Sequence, residues 1–423
     1  MTFKGKNMKI TDGVTLHIIK TNQFKTNHLT FRFSSQLNKK NMASRFLVSK
    51  MIETANSNFP NTTKIREKLA DLYGATLSTS VLTKGLIHIV DIDITFLPDC
   101  YLLSKDSILE EIIQFLSQLL FEPLISLEQY ELKTFEVVKQ NAIRQLEFDL
   151  EDPFYYSELA LDTLFFEREE LKLPYTGSKE MLEKENAYTS YQEFKRMLTG
   201  DSIDIFLLGS FDDAKVIDLF TQFPFKSRHN EASFYHDQKI SNITNKKIEE
   251  KSTNQSILQI GYSFSKLKNL KDYSSLLLLN SMLGAFSHSN LFTEIRQKEG
   301  LTYSIGSEID PFLGALYIFA AIDSHQRNKV MTLINRQLNL IKLGRFSTAF
   351  LNQTKEFLIT QRKIIRDNPK MLIEERYNQI LPVTYQNMST FIDSINSIRK
   401  RDVLEISSTI KLKSVYFMRG TLP

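Results

Sequence analysis

Metal-assisted and acid–base chemistry most often runs through histidine, so the spacing of the seven histidines decides what they can do. They are His17, His28, His88, His229, His236, His288 and His325. Two imidazoles on one helix reach a common metal ion when they are four residues apart and share a face. No two of these histidines are four apart, and none lies between residues 29 and 87. Neither His-x-x-Glu-His nor His-Glu-x-x-His occurs. A lone histidine within a strand pattern, such as His88, reads as structural. Cys100 is the only cysteine, which excludes an intramolecular disulfide and a Cys-x-x-Cys metal site. With no base to activate it, it reads as a semi-buried small residue after a strand.

The elements that must position any site are legible as periodicities. Leu29, Phe31 and Phe33 alternate with polar residues, as do Val90, Ile92, Ile94 and Phe96, the period-2 pattern of half-buried strands. Ile203 to Leu208, Ile257 to Phe264, Ala315 to Ile322 and Ser414 to Met418 are further strand signals, rich in β-branched or aromatic residues and flanked by turn residues. Ile108, Ile112, Phe115, Leu116 and Leu119 mark one face of a helix. Asp152-Pro153 predicts a helix start, with Asp as N-cap and Pro in the first turn. Residues 272–283 predict a buried helix ending at Gly284.

The order of elements repeats. Gly74 and Gly300 are 226 residues apart, the turn glycines Gly85 and Gly314 are 229 apart, Pro153 and Pro369 216, and the strand-ending Gly209 and Gly420 211. Four ordered anchors at similar offsets predict a duplication. The fold class is therefore α+β, two similar mixed domains at 1–226 and 256–423, joined by a polar linker at 227–255.

Composition sets the outer bounds. A chain of 423 residues, 42% hydrophobic and 24% charged, has ample material for a folded core. A net charge of +4 is too slight a balance to indicate nucleic acid. Neither a signal-peptide run nor a stretch of ~20 apolar residues is found, so the expected setting is cytoplasmic, without a membrane span.

Asn280 to Gly306 reads Asn-Ser-Met-Leu-Gly-Ala-Phe-Ser-His-Ser-Asn-Leu-Phe-Thr-Glu-Ile-Arg-Gln-Lys-Glu-Gly-Leu-Thr-Tyr-Ser-Ile-Gly. This resembles the insulinase-type (pitrilysin-like, M16) peptidase pattern, in which Leu-Gly and small polar residues precede Leu-Phe-x-x-x-Arg-x-x-x-Gly-Leu-x-Tyr. The segment Ile257 to Leu270 and the Gly209 strand followed by Asp212-Asp213 resemble the same family. The likeness spans nearly the whole chain. It implies two similar α+β domains, a unit that closes with a second such unit around a peptide, and, in active members, an inverted His-x-x-Glu-His zinc motif with a distal glutamate.

Counted back from Tyr73-Gly74, that motif falls on Leu47-Val48-Ser49-Lys50-Met51. Leu47 and Met51 stand at the histidine positions and Lys50 at that of the general base, and none of the three suits its role. The distal position falls at about Gln145, with Glu147 and Glu151 close by. The pattern's arginine and tyrosine are retained as Arg296 and Tyr303, which in active members hold the substrate and the transition-state oxygen from the opposite half. The alternative for this pair is a helix cap and a packed strand residue.

The expected function is a non-catalytic subunit of a heterodimeric M16 peptidase. It carries no zinc of its own, and a zinc-motif partner supplies the metal. Two alternatives stand beside this: a peptide- or protein-binding scaffold, as a homodimer, and an active metallopeptidase with a non-standard site. Within the family the chain most resembles the zinc-site-lacking member of the paired insulinase-like proteins of Gram-positive bacteria, associated with aminopentanol modification of elongation factor P. The features that carry this are Phe59-Pro60-Asn61-Thr62, Ile65-Arg66 and Leu72-Tyr73-Gly74-Ala75.

Overall fold

Alternating apolar residues and glycine turns build two large sheets, seen in a computed structural model that describes residues 5–101, 107–237, 243–381 and 387–421. The strands are β1 (Gly5–Thr11), β2 (Val14–Lys20), β3 (Asn27–Gln36), β4 (Thr76–Lys84), β5 (Ile87–Phe96), the short hairpin β6 (Ile125–Ser126) and β7 (Gln129–Tyr130), β8 (Ser202–Gly209), β9 (Asn245–Lys251), β10 (Ser256–Ser263), β11 (Thr302–Asp310), β12 (Ala315–Ile322) and β13 (Lys411–Gly420).

The first sheet runs β1-β2-β8-β3-β5-β4 and the second β11-β12-β10-β13-β9. Read from the β4 end and the β11 end, the two orders coincide, with β1 the one addition. In each, a central strand pairs antiparallel with both neighbours, β3 with β5 and β8, β10 with β12 and β13. In each, a strand from before the central one pairs parallel on the far side, β2 with β8 and β9 with β13. The hairpins β4–β5 and β11–β12 turn at Gly85 and Gly314, whose φ of 56° and 65° disfavour a side chain. The expected α+β fold of two similar halves is what the chain adopts.

The capped starts recur too. The Asp152 carboxylate accepts from the amides of Phe154 and Tyr155 to open the helix Pro153–Phe165, and the Asn368 side chain accepts from Lys370 and Met371 to open Pro369–Asn378. Asp152→Ala is expected to cost about 1 kcal/mol and Asp152→Asn only a few tenths, read from urea midpoints. Equal midpoints for Asp152→Ala and the parent chain would refute the cap's contribution.

Two expected boundaries shift. The compact units are 1–149 with 173–234, and 150–172 with 235–423, rather than a division at 226 and 256. The helix Pro153–Phe165 buries Leu161 against Ile257, Tyr416 and Met418 of the second sheet, which draws it out of the first unit. The expected linker 227–255 contains β9, whose partner β13 supplies hydrogen bonds that its polar sequence does not advertise. The helix expected at 272–283 is Leu270–Asn280 followed by a wider π-helical turn, Ser281–Ala285. Gly284 does not end it with a left-handed residue. It sits against β11, where an added Cβ would come within 2.6 Å of Ser307 Oγ.

Candidate functional site

Leu291 and Ile295 are four residues apart and fully buried, and they pin a second π-helical segment, Phe292–Lys298, to the core of the second unit. Gly300, with φ 63°, turns the chain into β11. There the register slips: Thr302 pairs with Ile322 and Ser304 with Ala321, leaving Tyr303 as the extra residue of a bulge. The buried Thr302 hydroxyl secures the kink, lying 2.7 Å from the carbonyl oxygens of both Ser304 and Ala321.

This geometry turns Arg296 and Tyr303 outward. Tyr303 is 75% exposed, and Arg296 is exposed with its guanidinium 4.7 Å from the centre of the Phe292 ring. Among the described residues neither makes a hydrogen bond or an ion pair. Neighbouring charges are already matched, Lys298 with Glu294 and Lys329 with Glu299. Neither caps a helix nor packs into a core. What is left is a planar set of five donors and a phenol, both facing solvent on or beside the edge strand of a sheet, which suits a carbonyl or a developing oxyanion.

Leu47, Lys50 and Met51, the positions expected to match the family's zinc motif, lie on the helix Met42–Thr54 in the first unit. Leu47 and Met51 are buried, and Lys50 pairs with Glu53 at 3.0 Å. Glu53 in turn accepts from the amide and hydroxyl of Thr79. Gln145 is exposed on Leu132–Asp149; Glu147, also exposed, pairs with Lys179, and Glu151 is exposed beyond the helix end. The structure does not bring these positions together as a donor set for zinc. Among the described residues no three His, Cys, Asp or Glu side chains converge where a metal ion could be held. Cys100 is exposed in a short turn, not semi-buried as expected.

What the same helix does carry is Arg45, fully buried, a residue the sequence did not single out. Its Nε donates to His88 Nδ1 at 2.8 Å, and Nη1 donates to Asp201 at 2.6 Å and Glu193 at 3.5 Å. His88 Nε2 donates to the Tyr175 carbonyl at 2.8 Å, which fixes the tautomer. Burial, and then the Arg45 charge, push the His88 imidazole down to about 3, so it stays neutral. Arg196 adds a second cation beside Glu193 and Asp201. His88 is thus structural.

Comparison with known proteins now has a geometry to meet. The profile of the Peptidase M16 inactive domain matches residues 191–358. The chain belongs to the insulinase-like M16 peptidase family. Its relatives include the probable inactive metalloprotease YmfF of Bacillus subtilis strain 168, 26% identical over 97% of this chain and 96% of that one. The uncharacterized zinc protease YmxG of the same strain is 23% identical over 64% and 66%. The crystal structure of a conserved protein from Enterococcus faecalis V583 superposes with a TM-score of 0.91 at 32% identity, covering 99% of each chain. As an M16 chain it lacks the inverted zinc motif throughout its sequence. Among the described residues no helix is long and apolar enough to cross a membrane.

Proposed function

We propose that this chain is the non-catalytic subunit of a paired M16 peptidase, acting in the cytoplasm. It would contribute Arg296, Tyr303 and half of the peptide chamber to a subunit that carries the zinc. The observation that supports this reading is the outward, unpartnered presentation of Arg296 and Tyr303 beside a sheet edge, held there by a buried Leu291–Ile295 anchor and a bulge. Presenting two solvated donors so rigidly serves no packing purpose within the chain. β11 is the edge of its sheet, so an extended peptide can add to it as a further strand, with main-chain hydrogen bonds giving affinity. The buried Leu47 and Met51 support a division of labour in which the metal comes from elsewhere. The resemblance to paired proteins of elongation factor P modification makes that pathway part of the proposal.

The test mixes the chain with a zinc-motif M16 subunit from the same genome. Light scattering should show a one-to-one complex, and a fluorogenic peptide should be cleaved. Arg296→Ala or Tyr303→Phe should leave the complex intact and lower kcat about 10²–10³-fold, the loss expected for a removed oxyanion donor. Absence of a complex, or variants that cleave like the parent pair, would sink the proposal and leave a peptide-binding scaffold.

A further inference from the structure

The second sheet has two edges, β11 and, at the far end, β9. β9 pairs parallel with β13 on one side, and among the described residues no strand pairs with its other side. A bare edge of this kind offers its free main-chain amides and carbonyls to any extended chain. Its residues, Asn245–Lys251, read Asn-Lys-Lys-Ile-Glu-Glu-Lys. Ile248 at the centre is 57% exposed, with two lysines before it and two glutamates after it. Side chains alternate along a strand, so Lys246, Ile248 and Glu250 share one face, and Lys247 and Glu249 share the other.

The face of Glu249 is already engaged. Lys247 pairs with Glu249 at 2.8 Å, and Glu249 accepts from the hydroxyls of Tyr156 at 2.7 Å and Tyr416 at 3.2 Å. The face of Ile248 is open. Among the described residues the Lys246 side chain has no ion pair or hydrogen bond, and Glu250 has Arg419 of β13 at 3.4 Å, both of them exposed. Charges on an edge strand commonly keep other chains away. The order of these charges is more selective than that. Laid antiparallel on a second copy of itself about an axis through Ile248, β9 sets Lys246 opposite Glu250, Lys247 opposite Glu249 and Ile248 opposite Ile248. Each of these cross-strand pairs is opposite in charge or apolar, which favours the pairing. In a parallel, in-register pair, lysine would meet lysine and glutamate would meet glutamate. Slipping the antiparallel register by one or two residues sets Ile248 opposite a charge.

We propose that β9 is a self-association edge, through which two copies of this chain join as an antiparallel strand pair with two-fold symmetry. The partner is a second copy because the charge order of β9 is complementary to its own reverse. In the pair the two second sheets continue across the contact, and the Ile248 side chains cover one another. A strand pair of this length buries less than the ~1,200 Å² of a standard interface, so the association is reversible and follows concentration. Tyr303 lies on β11, the opposite edge of the same sheet, which stays free. The inference therefore goes beyond the paired-subunit reading and does not depend on it.

The experiment is sedimentation equilibrium of the full chain alone, from micromolar to several hundred micromolar concentration. The parent chain should dimerise reversibly. Lys246→Glu and Glu250→Lys each set like charges opposite one another twice in the dimer, and each should raise the dissociation constant about tenfold. The chain carrying both changes has its opposite pairs restored and should return close to the parent constant. A one-to-one mixture of the two single variants should also associate, because the glutamates of one meet the lysines of the other. Both positions are exposed, so every variant should keep the parent's urea midpoint, which separates lost pairing from lost folding. A parent chain that stays monomeric throughout the range, or single reversals that leave the constant unchanged, would overturn the self-association edge. A double variant that dimerises no better than the single ones would overturn it too, since the antiparallel register requires the rescue. None of these readouts involves a zinc-bearing subunit, so failure of the edge and failure of the paired-subunit reading are separate outcomes.

Discussion

Arg45→Ala is expected to destabilise the first unit by about 3–5 kcal/mol, the range for stripping one partner from a buried ion pair. The guanidinium is fully buried and answers Asp201, Glu193, His88 and the Phe33 carbonyl at once. Its loss leaves the Asp201 carboxylate buried, with Arg196 at 3.2 Å as the cation still beside it. Glu193 suffers less, because Arg196 and Asn41 still reach it. The cost comes from stranding a charge more than from losing an attraction, so Arg45→Met combined with Asp201→Leu should cost less than Arg45→Ala alone. Urea denaturation of the three proteins is the measurement. A loss below about 1 kcal/mol for Arg45→Ala, or a double variant worse than the single one, would contradict the network described here.

Acidification from pH 6.5 to 5 should lower the stability of the same unit by about 2–3 kcal/mol. Burial holds His88 at about 3 and His28 at about 4, whereas both titrate near 6.5 once unfolded. Below that value the unfolded chain takes up protons that the folded chain refuses. Stability from these histidines is therefore complete above pH 6.5 and falls as pH drops, by about 1.4 kcal/mol per unit for a fully buried imidazole. His88 accounts for about 2 kcal/mol at pH 5. His28 is partly exposed between Thr26 and Thr95 and adds less, because solvent screens it. Asp201 works in the opposite sense, since burial raises its carboxyl and the folded chain binds that proton first. Midpoints in urea at the two pH values read the net effect, and nitrogen-15 spectra should show His88 still neutral at pH 5. A protonated His88 at pH 5, or a midpoint that does not move, would overturn the account.

The fold was legible where a local pattern and its packing agree. Ala315 to Ile322 is apolar, ends at defined turns and is strand β12 with those same limits. Asp152-Pro153 announced its helix through capping chemistry that needs only three residues. β9 was unreadable for the converse reason: Asn-Lys-Lys-Ile-Glu-Glu-Lys has no apolar alternation, and the strand exists because the edge of β13 offers it hydrogen bonds. The site divides along the same line. Arg296 and Tyr303 could be picked out because their spacing is a family pattern, but their exposure depends on a bulge set by Thr302 and by pairing with β12. Arg45 gave no signal, since a charge is read as surface until residues 88, 193 and 201 are brought around it.

The placement of Pro153–Phe165 on the second sheet has a consequence for synthesis. The helix is made early, but its seat is β10 and β13, and β13 ends at Gly420. Between Phe165 and Gly420 the ribosome adds 255 residues, which at 5–20 residues per second takes about 10–50 s. Throughout that interval the apolar face bearing Leu161 and Phe165 has no permanent cover. The first unit cannot shelter it by closing in sequence order, because the chain leaves that unit at 150 and returns at 173. The nascent chain therefore carries its greatest exposure to aggregation and to chaperones in mid-synthesis, and severing it near residue 226 would make that exposure permanent.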